Sequence, residues 1–354
     1  MHFRNVWSRT LTSLFLGLLV AVTPVLAQSD RKVNKLAEGV YEIEHHGDNG
    51  NTMVIIGERQ VFVVDTCLLP SVARQDIAQI RQWTDKPVSF VLNTHFHADH
   101  NFGNRIYMDA FPALTVIAHA ETKRDMDMWM PSRARRQADG MAPLQKMLDT
   151  GKTKDGQSLT EDDKTEVRNM LAQEAKTISE LKPINFQTAT LTFDHDFTID
   201  LGNREVQVKY LGRGNTPGDA VVYLPKEKIV AAGDLVVYPI PYVYDGYPVE
   251  WIQTLQNLAQ LDAETIVPGH GPVMHDKNYV YLLHDLMRSA VDQMDAKLMQ
   301  TQQAMDQNLD DVKGGVDLSA FRQRFAGTDQ DLSAEFDAMT RHLIKLVFYE
   351  ASLR

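Results

Sequence analysis

Between residues 39 and 66 the chain carries three short apolar-rich runs, Val40-Tyr41-Glu42-Ile43-Glu44, Thr52-Met53-Val54-Ile55-Ile56 and Val61-Phe62-Val63-Val64, with Gly47-Asp48-Asn49-Gly50 between the first two. β-branched and aromatic residues bounded by turn formers predict a β-meander. Residues 70–84 are amphipathic with helical period, and Val88-Ser89-Phe90-Val91-Leu92 reads as a short buried strand. Strand, helix, strand implies a parallel crossover, which puts the residues after Leu92 at a strand's C-terminal end. A further strand is predicted over 114–118.

Residues 120–185 differ in being charged, rich in Met and poor in β-branched residues, which predicts an inserted helical segment. Within it Thr160 followed by Glu-Asp-Asp suits the start of a helix running to Leu181. Met126, Trp129, Met130, Met141 and Met147 form either the inner face of a helical hairpin or an adaptable apolar surface above a site. The strand pattern resumes over 189–193, 197–201, 206–211, 220–224 and 228–233; a helix over 250–261 and a strand over 265–267 follow. From about residue 278 to 354 the pattern is helical, with breaks at Gly314-Gly315 and Gly327. Mixed strands and helices in this order predict an α/β protein.

A chain of 354 residues with 44% hydrophobic residues can bury a substantial core. Residues 1–27 have Arg4 and Arg9, an apolar run from Leu11 to Val22, and Val25-Leu26-Ala27 before Gln28, the three parts of a secretory signal peptide. An uncleaved anchor is the competing reading, although the run is short for a membrane span. Losing residues 1–27 removes two arginines and no acids, moving the formal charge from −11 to −13. Such a balance repels polyanions, which argues against nucleic acid; the one compact basic patch is Arg133-Ala134-Arg135-Arg136. Cys67 is the sole cysteine, so an exported chain is expected to have no internal disulfide, and a periplasmic or secreted location fits. Cys67 itself reads as a small buried filler, with a reactive or metal-bound thiol as the alternative.

The candidate chemistry is concentrated in Thr94-His95-Phe96-His97-Ala98-Asp99-His100, which places three of the chain's 12 histidines and a carboxylate within six residues. Neutral imidazole and carboxylate oxygen suit Zn²⁺, with a position left open for water in a catalytic site. His95 and His97 are expected to face one metal, Asp99 and His100 a neighbouring one. Further along, the Gly-rich loop Leu211-Gly212-Arg213-Gly214-Asn215-Thr216-Pro217-Gly218-Asp219, Asp234 at an expected strand end, and His270 within Pro268-Gly269-His270-Gly271-Pro272 are the other candidates. Asp65 closes the third predicted strand, either holding a metal-bound histidine from behind or serving as a turn or capping residue. His119 stands outside the cluster and reads as structural.

These signatures, Val64-Asp65-Thr66, Thr94 to His100, Thr216-Pro217-Gly218-Asp219, Gly233-Asp234 and Pro268-Gly269-His270-Gly271, occur in an order that resembles the metallo-β-lactamase fold superfamily over roughly residues 35–275. The resemblance implies a four-layer αβ/βα sandwich of two mixed sheets. The domain would span 33–275, with a helical insertion at about 120–185 and a helical C-terminal extension over 276–354. It further implies His95 and His97 as ligands of a first metal, Asp99, His100 and His270 of a second, and Asp234 as a bridging carboxylate. Where the family usually has histidine, Asn215 is a weak or non-ligand, so the cofactor is expected to be one or two Zn²⁺ ions with the second site filled more readily. The implied activity is metal-assisted hydrolysis of a small cyclic amide, lactone or ester. Asp99 would steer the attacking water, and Tyr238, Tyr242 and Tyr244 would line the substrate. The alternatives are a metal- or substrate-binding protein with weak or lost catalysis, a glyoxalase II-like thioesterase, or a mononuclear iron oxygenase.

Overall fold

The computed structural model describes residues 31–47, 49–153, 156–302 and 315–352. The signal-peptide reading, the start near Gln28, Gly314 and the side chains of Arg135 and Arg136 lie outside the described residues.

Two mixed sheets form the centre. The first has seven strands in sequential order, β1 (Arg31–Ala37), β2 (Val40–His45), β3 (Thr52–Ile56), β4 (Val61–Val64), β5 (Val88–Leu92), β6 (Thr115–His119) and β7 (Leu191–Phe193). Strands β1 to β4 pair antiparallel, as the meander predicts, and β4 to β7 pair parallel through crossovers. The second sheet has five strands, β8 (Phe197–Asp200), β9 (Glu205–Tyr210), β10 (Ala220–Leu224), β11 (Ile229–Val237) and β12 (Thr265–His270), antiparallel except for the parallel pair β11 and β12.

The period-two pattern decides what each face meets. Phe62, Val64, Leu92 and Ile117 of the first sheet turn inward onto Val208, Val222, Leu224, Ala231 and Val267 of the second. Their neighbours Val61, Val63, Val91 and Val116 turn outward onto Ala73, Ile77 and Ile80 of helix α1 (Pro70–Trp83). On the far side Val221, Val230 and Ala232 face Trp251, Leu255 and Leu258 of helix α7 (Pro248–Gln260), with Leu283 and Met287 of α8 (Asn278–Gln302) and Phe336 and Leu343 of α10 (Gln330–Ser352) behind them. Helix, sheet, sheet, helix is the four-layer αβ/βα sandwich. The helical extension is part of the outer layer; its short member α9 (Ser319–Ala326) contributes Phe325 to the same core.

Short helices α2 (Ala98–Asn101) and α3 (Asn104–Ala110) follow β5 directly. Between β6 and β7 come α4 (Ala120–Trp129), a 3₁₀ turn (Met130–Ser132), α5 (Arg133–Thr150) and α6 (Glu161–Leu181). Thr160 caps α6 through a reciprocal box with Asp163, as its sequence predicts. Met126 and Met130 are buried against Leu68, Leu69, Ala98, Phe102 and Leu181, while Met147 packs with Leu144, Leu159 and Val167 between α5 and α6. These methionines are therefore inner faces and not a wall over the site; Trp129 alone of the five expected apolar residues is strongly exposed, at 45%. Among the described residues no helix is long and apolar enough to cross a membrane.

Candidate metal centre

The loop after β5 carries His95 and His97 and runs into α2, which carries Asp99 and His100. Asn101 fixes that loop by donating from Nδ2 to the carbonyls of His97 (2.6 Å) and His95 (3.3 Å). The second sheet supplies Asp234 and His270. Asp234 does not end its strand, as the sequence suggests: β11 continues to Val237, and the register of its pairing with β12 breaks around Gly233. That irregularity, at a glycine with φ +52° pressed on Thr94, turns the Asp234 carboxylate out of the ladder and toward the histidines.

Two groups of donors result. In the first, His95 Nε2 lies 2.9 Å from His97 Nδ1 and 3.5 Å from Asp234 Oδ2. In the second, His100 Nε2 lies 3.3 Å from Asp99 Oδ2 and 3.2 Å from His270 Nε2, which is 2.9 Å from Asp99 Oδ2. Asp234 Oδ1 is 3.2 Å from His100 Nε2, so the two oxygens of one carboxylate face the two groups. Imidazole nitrogens and carboxylate oxygens converging this closely on two points are the arrangement of ligands about a cation. One orphaned atom supports the fit, since Asp234 Oδ1 is buried with no hydrogen-bond partner. Gly269 completes the cradle: a Cβ there would stand 2.0 Å from Asp234 Oδ1, and one on Gly50 would stand 2.3 Å from the His100 ring.

Asn215 reaches the first group with its amide nitrogen, which donates to Asp234 Oδ2 at 3.4 Å and lies 3.5 Å from His97 Nδ1. A donor at that place is no ligand, and turning the amide over would offer only a neutral oxygen. Asp65 stands behind the ligands: its oxygens accept from Thr94 N and Oγ1 (both 2.8 Å), and Oδ2 lies 2.9 Å from His100 Nδ1. This leaves His100 Nε2 to face the second group. His119 is placed away from the centre, stacked on Tyr210 with its Nδ1 accepting from Glu121 N.

Electrostatics sort the donors. Burial, followed by the neighbouring His100, drives His95 down to about 4, so it is neutral and ready to ligate. Burial also opposes charge on His97, but Asp234 and Asp245 outweigh it and lift it to about 9. Asp99 and Asp234 resist protonation because the surrounding imidazoles, His100 foremost, overcome the cost of their burial. Asp219 holds the Gly-rich loop by accepting from Thr216 N (2.8 Å) and Oγ1 (2.9 Å), while burial, resisted by those bonds, raises it to about 7.

Several participants had no local signal. Asp245 Oδ2 bonds His97 Nε2 at 3.0 Å. Asn49, in the stretch read only as a turn, accepts at Oδ1 from Leu68 N and Leu69 N, and Asn51 just beyond it donates from Nδ2 to the carbonyls of Pro268 and Gly271, tying the two halves together beside the centre. Of the tyrosines, Tyr242 lies edge-on to His97 with ring centroids 5.3 Å apart and packs at a tilt against Tyr244, whereas Tyr238 is 45% exposed and packs on Tyr279.

Fold and donor set together are those of the metal-dependent hydrolase class. Residues 46–270 match the metallo-β-lactamase superfamily, and the chain belongs to that family. Among curated proteins it is similar to the linear primary-alkylsulfatase of Pseudomonas sp. (strain ATCC 19151), 23% identical over 65% of this chain and 43% of that protein. It is also similar to the type 2 metallo-β-lactamase of Bacillus sp. (strain 170), 33% identical over 25% of this chain and 37% of that one. The chain thus spans under half the length of these relatives. Among solved structures it resembles a metallo-β-lactamase from Pontibacter korlensis, with TM-score 0.51 and 19% identity over 73% of this chain and 99% of that one. FIM-1 of Pseudomonas aeruginosa in its mono-zinc form gives 0.50 and 17% over 73% and 96%.

Proposed function

We propose that the chain is an exported, periplasmic zinc hydrolase of a small cyclic amide, lactone or ester. The observation that carries this reading is the single buried carboxylate of Asp234 facing two donor groups with its two oxygens, one of them without a hydrogen bond. His95 and His97 with Asp234 would hold one ion, and Asp99, His100 and His270 with the same carboxylate the other. When bound, zinc supplies a Lewis acid for the scissile carbonyl and acidifies water to neutral pKa.

The chain's own groups account for the rest. Asp99, whose side chain is 27% exposed beside the buried His100 and which stays ionised, would orient the attacking water by accepting its hydrogen bond. Tyr242 is held neutral by burial and then by Asp245, so its hydroxyl remains a donor for substrate throughout the working pH range. Because Asn215 offers a donor where the first group needs an acceptor, the second group would bind the first equivalent of zinc. The mono-zinc form of FIM-1 supports the view that the fold accommodates one ion. Export rests on the arginines and apolar run of residues 1–27.

The test is a panel of lactams, lactones, aryl esters, a glutathione thioester and, because of the alkylsulfatase likeness, a linear alkyl sulfate, each with and without chelator. Chelator-sensitive turnover of a lactam, lactone or aryl ester supports the proposal. Turnover confined to the thioester or the sulfate replaces its substrate class, and no turnover by zinc-loaded protein favours a binding protein.

A further inference from the structure

Outside the centre described above, the chain gathers a second set of unlike donors in its core. His45 ends β2, Cys67 follows β4, and Asp76 lies on the inner face of α1; their relative exposures are 6%, 0% and 0%. Cys67 Sγ is 3.3 Å from His45 Nε2 and 3.2 Å from Asp76 Oδ2, and His45 Nε2 is 3.1 Å from Asp76 Oδ2. These three atoms form a closed triangle. A thiol and a neutral imidazole nitrogen bring at most two protons, and an ionised carboxylate brings none, so at least one of the three edges has no proton in it. Hydrogen bonding fills at most two of the three edges and leaves the third a bare contact, so it does not by itself bind all three atoms to one another.

A common cation does. Zinc with sulfur at 2.3 Å and nitrogen or oxygen at about 2.0–2.2 Å in a tetrahedron holds its donors about 3.3–3.6 Å apart. The triangle is only slightly tighter, and it matches the 2.9–3.3 Å spacing of Asp99, His100 and His270 in the same chain. A second unpaired polar atom lies in the same core: Tyr107 Oη is fully buried and has no hydrogen-bond partner. Its hydroxyl is held protonated by burial and then by Asp76 and Cys67, and its ring shares a core layer with Ala73 and Ile77 of the helix that carries Asp76. Arg31 Nη1 occupies Asp76 Oδ1 at 3.0 Å, leaving Oδ2 to the triangle, and Thr52 Oγ1 lies 3.4 Å from Sγ as a further oxygen.

We propose that Cys67, His45 and Asp76 are the ligands of a third, structural metal site for a thiophilic divalent cation, zinc by its mixed sulfur, nitrogen and oxygen donors. Thr52 Oγ1, 3.4 Å from Sγ, is the neighbouring oxygen for the fourth position. The Cys67 thiol, pushed well above its usual range by burial and then by Asp76, gives up its proton to solvent as the sulfur–metal bond forms, so uptake releases one proton per ion. The site joins β2, the end of β4 and α1. Cys67 also accepts Gly103 N at its carbonyl (3.1 Å), and Thr66 N beside it donates to the His100 carbonyl (2.8 Å). An ion there would brace the segment on which Asp65 holds His100.

Cobalt substitution of the full mature protein tests this, because Cys67 is the only sulfur that can give a thiolate-to-cobalt charge-transfer band in the near ultraviolet. Expected are a band that survives dialysis, its loss in Cys67→Ser together with one tightly held ion per chain, and its persistence in a His95→Ala/His97→Ala variant whose catalytic centre is disabled. That last variant separates this site from the hydrolase reading. Should Cys67→Ser fail to fold, Asp76→Asn and the band of the unaltered protein decide. A cobalt-loaded parent without the band, or with one removed by dialysis, overturns the proposal.

Discussion

Asp245 Oδ2 stands 3.0 Å from Nε2 of His97, although 148 residues separate the two in the chain. The bond fixes the His97 ring so that Nδ1 faces His95 and Asp234. It comes from the loop after β11, which the extension holds in turn through His342 Nε2, 3.1 Å from the Tyr244 carbonyl. Loss of such an orienting carboxylate ordinarily costs about 10- to 100-fold in metal affinity. Asp245→Ala should weaken zinc binding at the first group by that factor and leave the second unchanged, as read by competition with a chromophoric chelator. Equal weakening of both groups would count against the assignment.

Asp99→Ala removes both a donor to the second group and the partly exposed carboxylate that would orient the water. Turnover should fall by at least about 100-fold in kcat/KM, with the circular dichroism spectrum retained. Near-normal turnover would place the chemistry elsewhere.

Asn215→His supplies an acceptor nitrogen beside His97 and Asp234. After mild dialysis, the variant should retain one more zinc per chain than the parent. Identical metal content in the two proteins would show that Asn215 does not limit the first group.

Glu335 on α10 is raised from 4.5 to about 7 by burial alone. Because its folded value lies above its unfolded one, its contribution to stability is complete below pH 4.5 and is lost as pH rises through 7. Relative to the parent, Glu335→Gln should gain on the order of 1 kcal/mol per pH unit across that window and hold the gain above it. Denaturant titrations from pH 4.5 to 8 check this, and a pH-independent difference would refute it.

The sandwich was legible because its strands are short and apolar with clear turn signals, and because the site signatures recur in order along the strands and the loops that follow them. Strand β1 escaped notice since Arg31, Lys32, Asn34 and Lys35 give it no apolar period; it is an edge strand, where charge discourages further pairing. Asp234 looked like a strand end because a carboxylate inside nine buried residues is implausible without a bulge and a ligand to explain it. Asp245, Asn49 and Asn51 were illegible for another reason. Each acts through a partner far away in sequence, and no local period or motif announces a tertiary hydrogen bond.

The donors of each group come from opposite halves of the chain. His95, His97, Asp99 and His100 hang from the first sheet, Asp234 and His270 from the second, and His100 and His270 are 170 residues apart. Bound ions would accordingly act as rivets across the seam between two independently paired sheets, closing a long loop in the way a crosslink does. Stripping them would leave that seam to apolar packing and a few loop hydrogen bonds. Zinc supply would then govern how long the enzyme survives heat and proteases as well as how fast it turns over.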